Sequence, residues 1–594
     1  MKKNISFLVV PGIARAALAA LTVLTVLVAG CSTVKVEKQK ELRELFVEDK
    51  YDQAFQTVAE LIPGSEERSK LLYFLERGMI LHSQGKYFSS NAHLEIANEI
   101  SQQLFTKSIS KAALSGVAND TYDNYYGAFY ERSLIHFYLA LNNFLIYQSG
   151  EIEEHIPVVN PVGEKANKSI PKKILNANEK REYLSRARAQ ILAWDSLLSS
   201  WKEARQGKSV FKNDMLAKVF GAFIHESFQT PTDQQIATQL FKDAKDLLLK
   251  NYNAYATFNR KSVKFKKDFE EFANMDLEKV KSEYILATDF QNELQSFLDN
   301  KNNNANANVA VILQMGMIPE KVAKKYNFGL EGVVNNIEDP GSRSAAMAIG
   351  STVLGFFAAN VLGLIPDRNS DWAAPGAAIG VQVGKIAVSY AGFSFELPKV
   401  QNTPTSKMSC VEFYDKLSGA VMKEAPLAIL DPLGDIAEEA IEEDSGMRYF
   451  KTGMRVGAKH LTAILASYGT YKLMVDKSGR GSGVGEFLAK NAAVLQYVAL
   501  SKGIEATEKA DVRYWTTLPK DIRMARVSLP KGTYGVRVKV GEGKICDLAP
   551  KGKDYNIVGP SALSKTNVNY YQLGDVTVKN DGEFKVVNLR IKKL

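Results

Sequence analysis

The spacing of small and large residues along the first half of the chain constrains its fold more than any other feature. Gly78, Leu81, Gly85, Tyr87, Ser90, Leu94 and Ala97 fall where two helices joined by a tight turn would need them. Small residues let the helices approach, and large ones fill the space between them. An earlier copy reads Leu42, Leu45, Tyr51, Ala54 and Val58, and Tyr51 and Tyr87 stand 36 residues apart. A later, weaker copy reads Gly221, Ile224, Ala237, Phe241 and Ala244, with an insertion around Pro231. A single helix pair cannot bury its own apolar face, so copies in one register imply stacking.

The period resembles that of tetratricopeptide repeats, which run to about 34 residues. Between the copies lies a helix over 126–142 that carries Tyr126, Tyr130, Leu134, Phe137 and Leu141 on one face. Most of that face suits core packing. Tyr126, Tyr130 and Tyr138 are the candidate partner-binding residues, because tyrosine offers a large ring and keeps a polar tip. The stretch Tyr126-Gly127-Ala128-Phe129-Tyr130-Glu131-Arg132 resembles an element of a largely uncharacterised family of Gram-negative lipoproteins with tetratricopeptide-like repeats. The likeness continues through Val309 to Val322, around Ile318-Pro319-Glu320-Lys321. It returns at Asp511-Val512-Arg513-Tyr514-Trp515-Thr516-Thr517-Leu518-Pro519 and from Ala525 to Tyr534. The resemblance implies no catalytic residues, and it implies a role near cell-envelope assembly. The chain departs from it at 150–180 and near 340–392.

The N-terminus is similar to that of an exported lipoprotein. Lys2, Lys3 and Arg15 precede an uncharged run over 16–28, too short to span a bilayer. The run ends in Leu27-Val28-Ala29-Gly30-Cys31, which resembles a lipobox. That likeness implies cleavage before Cys31, lipid on its sulfur, and Ser32 directing the product to the outer membrane. Residues 1–30 are then signal peptide and 31–40 a tether of at most about 35 Å. Losing three cations with the signal takes the net charge from +9 to +6, a weak bias for a chain of this size. No basic block with interleaved aromatics argues for nucleic acid. Of the remaining cysteines, Cys410 and Cys546, an oxidising compartment would permit a bridge. Nothing in the sequence brings them together, and two separate buried thiols are the simpler expectation.

The expected fold class is α+β and multidomain. A tetratricopeptide-like helical array over 41–149 is followed by a polar insert over 150–180, read as an exposed loop from its three prolines. Helical repeats resume over 181–300, with Trp194, Leu197, Leu198 and Trp201 as core. The Asn-rich stretch 302–308 marks a boundary. Residues 301–400 combine strand elements with a Gly/Ala-rich apolar insert, and 401–510 are expected to be helical. The insert holds an uncharged run over 344–366, read as a buried helical hairpin rather than a membrane span. Residues 511–594 are expected to form a small β-sandwich, from the alternation at Tyr534, Val536, Val538 and Val540. Strands from 309–328 and 386–400 are expected to join its sheet.

Catalysis finds little support. Six histidines show no His-Glu-x-x-His spacing, and no Cys/His set suits zinc. Glu438, Glu439, Glu442 and Glu443 read as a solvated helix face. The glycines at 481–485 lack the strand and spacing of a phosphate loop. The expectation is therefore a non-enzymatic, cofactor-free scaffold, anchored through Cys31 and binding a periplasmic protein. A membrane-inserting component using 344–392 and an envelope enzyme with a dispersed site are the alternatives.

Overall fold

The computed structural model describes residues 36–62, 67–111, 124–158, 168–204, 213–250, 252, 255–261, 285–299, 307–328, 393–403, 405–442, 483–543, 545–546, 568–580 and 582–593, with scattered positions between 452 and 474. Cys31, the run 344–366, Gly481 and Ser482 lie outside the described residues. Among those described, no helix is long and apolar enough to cross a membrane.

The protein is mixed α+β, with paired helices first and sheets toward the C-terminus. The helices are α1 (Val36–Val47), α2 (Tyr51–Leu61), α3 (Lys70–Ser83), α4 (Tyr87–Lys111), α5 (Phe129–Ser149), α6 (Ala177–Ala204), α7 (Met215–Glu226) and α8 (Pro231–Lys250). Helix α1 begins at Val36, within the stretch read as a tether. Consecutive helices pack together, α1 on α2, α3 on α4, α5 on both α4 and α6, and α7 on α8. The small residues of the repeat do what their spacing suggests. A Cβ on Gly78 would sit 2.7 Å from Leu94 of α4, and one on Gly221 would sit 2.8 Å from Ile191 of α6. Gly85 turns the chain between α3 and α4 at a φ of +77°. Pro231 opens α8, where its missing N–H costs nothing.

The expected exposed loop at 150–180 contains a short two-stranded arm, β1 (Glu151–Ile152) on β2 (Lys173–Ile174). Another pair, β3 (Asn259–Lys261) and β4 (Ile285–Ala287), precedes helix α9 (Asp289–Asp299).

Two four-stranded sheets follow. The inner one has the order β10-β11-β5-β14, made of β10 (Ala428–Asp431), β11 (Asp521–Val527), β5 (Val309–Met315) and β14 (Lys585–Ile591). Strand β14 runs parallel to β5, and the other pairings are antiparallel. The outer sheet has the order β13-β12-β8-β9, all antiparallel: β13 (Asn569–Val578), β12 (Gly532–Gly541), β8 (Met408–Asp415) and β9 (Val421–Pro426). A separate hairpin pairs β6 (Glu320–Phe328) with β7 (Phe393–Gln401). Helices α10 (Leu433–Glu442) and α11 (Gly483–Thr507) lie between β10 and β11 in the chain.

Strand β5 is buried along its whole length. Val309, Val311, Leu313 and Met315 join a core shared with Val411, Phe413, Val536, Val538 and Val540 of the outer sheet. Ala310 and Ile312, on the other face, join the core of the helices together with Met524 and Val586. A strand apolar on both faces is what a layer between two others requires. The edge strand β14 is closed by α5: Gln148 both donates to the Val586 carbonyl (3.0 Å) and accepts from its N–H (2.8 Å).

One polar network crosses this interface. His82 Nδ1 meets Asn142 Oδ1 at 2.6 Å. The His82 Nε2 faces the amide nitrogens of Asn588 and Gln314 at 3.1 and 3.3 Å, and Tyr138 donates to Gln314 (2.9 Å). A neutral ring protonated on Nδ1 satisfies every partner. Burial accordingly pushes the His82 pKa down to about 4.

Three expectations need correction. First, 401–510 is not uniformly helical, because β8, β9 and β10 occupy 408–431. Glu412 is buried in β8, where it pairs with Arg537 and Lys539 of β12. Second, only β5 joins the C-terminal strands. Residues 320–328 and 393–401 pair with each other instead. Third, Cys410 and Cys546 form a disulfide, with Cα atoms 5.6 Å apart. It ties β8 to the segment after β12 across 136 residues of chain.

In the chain-entropy account a crosslink of that span stabilises by roughly 5 kcal/mol at most. Urea denaturation of a Cys410→Ser/Cys546→Ser protein should therefore give an unfolding free energy lower by several kcal/mol, with a correspondingly lower midpoint. An unchanged midpoint would show that the bridge contributes nothing.

Candidate functional site

A cavity of about 300 Å³ lies where the start of α5 meets the β6–β7 hairpin, α10 and the segment 511–514. Its geometry starts with a turn. Gly127 adopts a φ of +70°, and Tyr125 donates its N–H to the Arg68 carbonyl (2.6 Å). These fix the path into α5. Glu131, the third residue of that helix, folds back to accept from the Ala128 N–H (2.6 Å), which satisfies one orphan donor of the helix end. The same carboxylate accepts from the Tyr125 hydroxyl (2.6 Å) and the Trp515 N–H (2.7 Å).

Glu131 is thus 2 % exposed yet accepts three hydrogen bonds. Burial raises its pKa, and those donors with the nearby Lys321 ammonium oppose the rise. One helix pair away, Glu76 does the same to the next two residues. It accepts from the N–H groups of Thr516 (2.5 Å) and Thr517 (3.3 Å) and from the Thr517 hydroxyl (2.6 Å). Burial pushes Glu76 up to about 7, against those bonds. Two carboxylates from α3 and α5 therefore grip the backbone of 515–517.

The opposite wall is an ion pair. Asp511 accepts from the Arg513 N–H (3.0 Å), Nε (2.8 Å) and Nη2 (2.7 Å). Burial works against its charge, but Arg513 and Lys321 hold the Asp511 carboxyl below its usual range. Arg513 reaches on to the Arg68 carbonyl and Ser69, and Lys321 donates to the Arg513 carbonyl (3.1 Å). Pro319, Pro398, Val400, Ala437, Ala440 and Ile441 supply the apolar part of the lining.

The three sequence-predicted tyrosines part company here. Tyr126 and Tyr130 line the cavity. Tyr138 does not, which corrects its place among groove residues: it is fully buried, bonded to Gln314, with its ring against His82 and Trp515. Glu131, Lys321, Asp511, Arg513 and Tyr514 were visible only as parts of the stretches that carry the family resemblance. Three of those four stretches, far apart in the chain, meet at this cavity; the one from Ala525 to Tyr534 does not. Their roles depend on contacts between distant segments, which spacing along a sequence does not encode.

Other candidates fall elsewhere. Glu438 is half-buried and accepts from Asn402 (3.1 Å), so the acidic face of α10 is not wholly solvated. His225 pairs with Asp233 (2.7 Å). Among the described residues, the set of close metal-type ligand atoms is Cys410, Glu424 and Cys546, and its two sulfurs are bonded to each other. No protein-family model matches the chain, and no curated protein or solved structure matches it either.

A carboxyl whose pKa rises on folding lends stability below its unfolded value, near 4.5, and loses it as the pH climbs through the folded value. For Glu76 that window runs from 4.5 to about 7. The gap in denaturation midpoint between wild type and Glu76→Gln should therefore shift in favour of the variant across this range and level off above it. A gap constant from pH 4.5 to 8 would show that Glu76 does not titrate as its burial requires.

Proposed function

We propose that the chain is a periplasm-facing outer-membrane lipoprotein, anchored through lipid on Cys31, that acts by holding a protein partner rather than by turnover. In this reading the paired helices are a tetratricopeptide-like array, the two facing sheets are a β-sandwich, and the chain is a member of the Gram-negative lipoprotein family its motifs resemble. The observation that carries the proposal is the convergence of three of those motifs on the cavity beside Tyr126 and Tyr130. The Gly78–Leu94 approach supports the repeat reading. The Cys410–Cys546 bridge is consistent with an oxidising compartment.

The inner sheet and 514–518 pack into the core of the helices, which removes that surface from any partner. Contact with a partner then falls to the rim of the cavity, where Asn124 and Tyr126 are partly exposed.

Two experiments test this. Radiolabelled palmitate should enter the wild-type protein and not Cys31→Ser, and the variant should leave the membrane fraction. Absence of label, or unchanged fractionation, would remove the anchor. A photo-crosslinker at Tyr126 should capture one defined periplasmic protein in cells, and the same probe at the exposed Leu192 of α6 should not. Equal yields at both positions would contradict the proposal.

A further inference from the structure

We infer that Asp214 and Asp431 share one proton where the helices meet the inner sheet, and that this proton latches α7 to β10. The joint is closed while the pair holds the proton and loosens when alkaline pH removes it. The inference goes beyond the protein-binding reading above and does not rest on it. Topology is the first argument. Asp214 is the residue before α7 and Asp431 ends β10, so the two acids come from different layers. Both are fully buried, and their side chains meet in a hydrogen bond. Tyr252 ties the same two elements, accepting from the Met215 N–H (2.7 Å) and donating to Asp431 Oδ1 (3.0 Å).

Hydrogen-bond accounting is the second. Ionised carboxylates only accept, so two of them in contact set lone pairs against lone pairs. Asp214 Oδ1 accepts from the Ala217 N–H (3.2 Å), and Oδ2 accepts from the Ser133 hydroxyl (3.0 Å). The Ser133 oxygen accepts in turn from the Trp194 indole, which commits the serine proton to Asp214. Asp431 has the Tyr252 hydroxyl, and its buried Oδ2 finds no donor. A proton on that oxygen turns an orphaned acceptor into a donor to Asp214. The charge then rests on the acid with the donors, and the acid that lacks them is neutral.

Charge is the third. Among the described residues, no Lys, Arg or His pairs with either acid, because the cations of the packed elements are engaged elsewhere. Lys218 of α7 pairs with Asp195, Lys245 of α8 with Asp299 of α9, Arg188 of α6 with Asp233, and Arg523 of β11 with Asp521. Arg132 and His136 of α5 bond Ser101 and Gln190. Of the nearby acids, Glu226 of α7 pairs with Arg526, and Glu293 of α9 faces Arg523. The titratable groups facing the pair are Tyr252, with Tyr255 behind it, and Tyr138 of α5. Two adjacent buried charges without a cation are too costly to keep, so one acid is neutral. Burial, and then the Asp214 charge, push the Asp431 carboxyl well above its usual range. The stability this proton lends is full below the unfolded value, near 4, and is lost as the pH climbs through the folded one.

The test uses the full-length chain and its Asp431→Asn variant. The amide copies the protonated acid: its oxygen accepts from Tyr252, and its NH₂ donates to Asp214. In urea titrations from pH 6.5 to 9, the ratio of the wild-type unfolding constant to that of the variant should rise by up to about tenfold per pH unit. It should level off once the folded pair has lost its proton. Hydrogen exchange over 215–226, corrected for its intrinsic pH dependence, should lose protection in the same range in wild type and keep it in the variant. A flat ratio, or equal protection in both proteins, would overturn the inference. If Asp431→Asn fails to fold, infrared spectroscopy of wild type with carbon-13 in its aspartate carboxyls decides. At pH 7 a protonated-carboxyl band should move with the label, which Glu76 and Glu293 do not carry. Absence of that band would overturn the inference. A melting temperature lowered by EDTA would do the same, in favour of a metal ion in the proton's place.

Discussion

Two buried carboxylates hold this protein together. Glu76 and Glu131 stand on neighbouring helices and accept successive backbone N–H groups of Trp515, Thr516 and Thr517. An ionised carboxylate taken out of water is costly unless its lone pairs are satisfied, and each of these accepts three bonds. Backbone donors survive every substitution except proline, so the grip depends on path rather than on side-chain identity. It fixes the segment that leads into β11, and β11 is the strand on which β5 and β10 pair.

From that fixed strand the layers follow in order. Strand β5 turns one row of side chains to the outer sheet and the other to the helices, so the helices and the inner sheet share a single core. The His82–Asn142–Gln314–Asn588 network sets the register of that contact, because each member has one partner arrangement that leaves no donor facing a donor. On the far side of the helices, Asp214 caps α7 and Tyr252 bridges the Met215 N–H to Asp431 at the end of β10. Polar groups thus link the helices and the sheet in small connected sets, with apolar packing between them.

How much of this the sequence carried varies by element. The repeat residues and Trp194, Leu198 and Trp201 announced the helix pairs, because an amphipathic period survives whatever the helix packs against. Strand β12 was legible for the same reason. Strand β8 was not: Glu412 lies inside only because Arg537 and Lys539 from the next strand neutralise it, a pairing that local spacing does not encode. The disulfide was hidden because Cys410 and Cys546 are brought together only by β8 pairing with β12. The helix expected over 126–142 begins at Phe129, so Tyr126 precedes it; Tyr126 and Tyr130 line the cavity, whereas Tyr138 points into the core. Only the position of the inner sheet distinguishes them.

The central claim is that 515–517 is clamped backbone and not a loop. Hydrogen exchange measures it directly, by mass spectrometry on peptides covering those amides. If the two carboxylates hold them, they should exchange only through global unfolding, at the rate of the β5 and β11 amides. Exchange at the rate of the exposed Asp415–Gly419 turn would contradict the account.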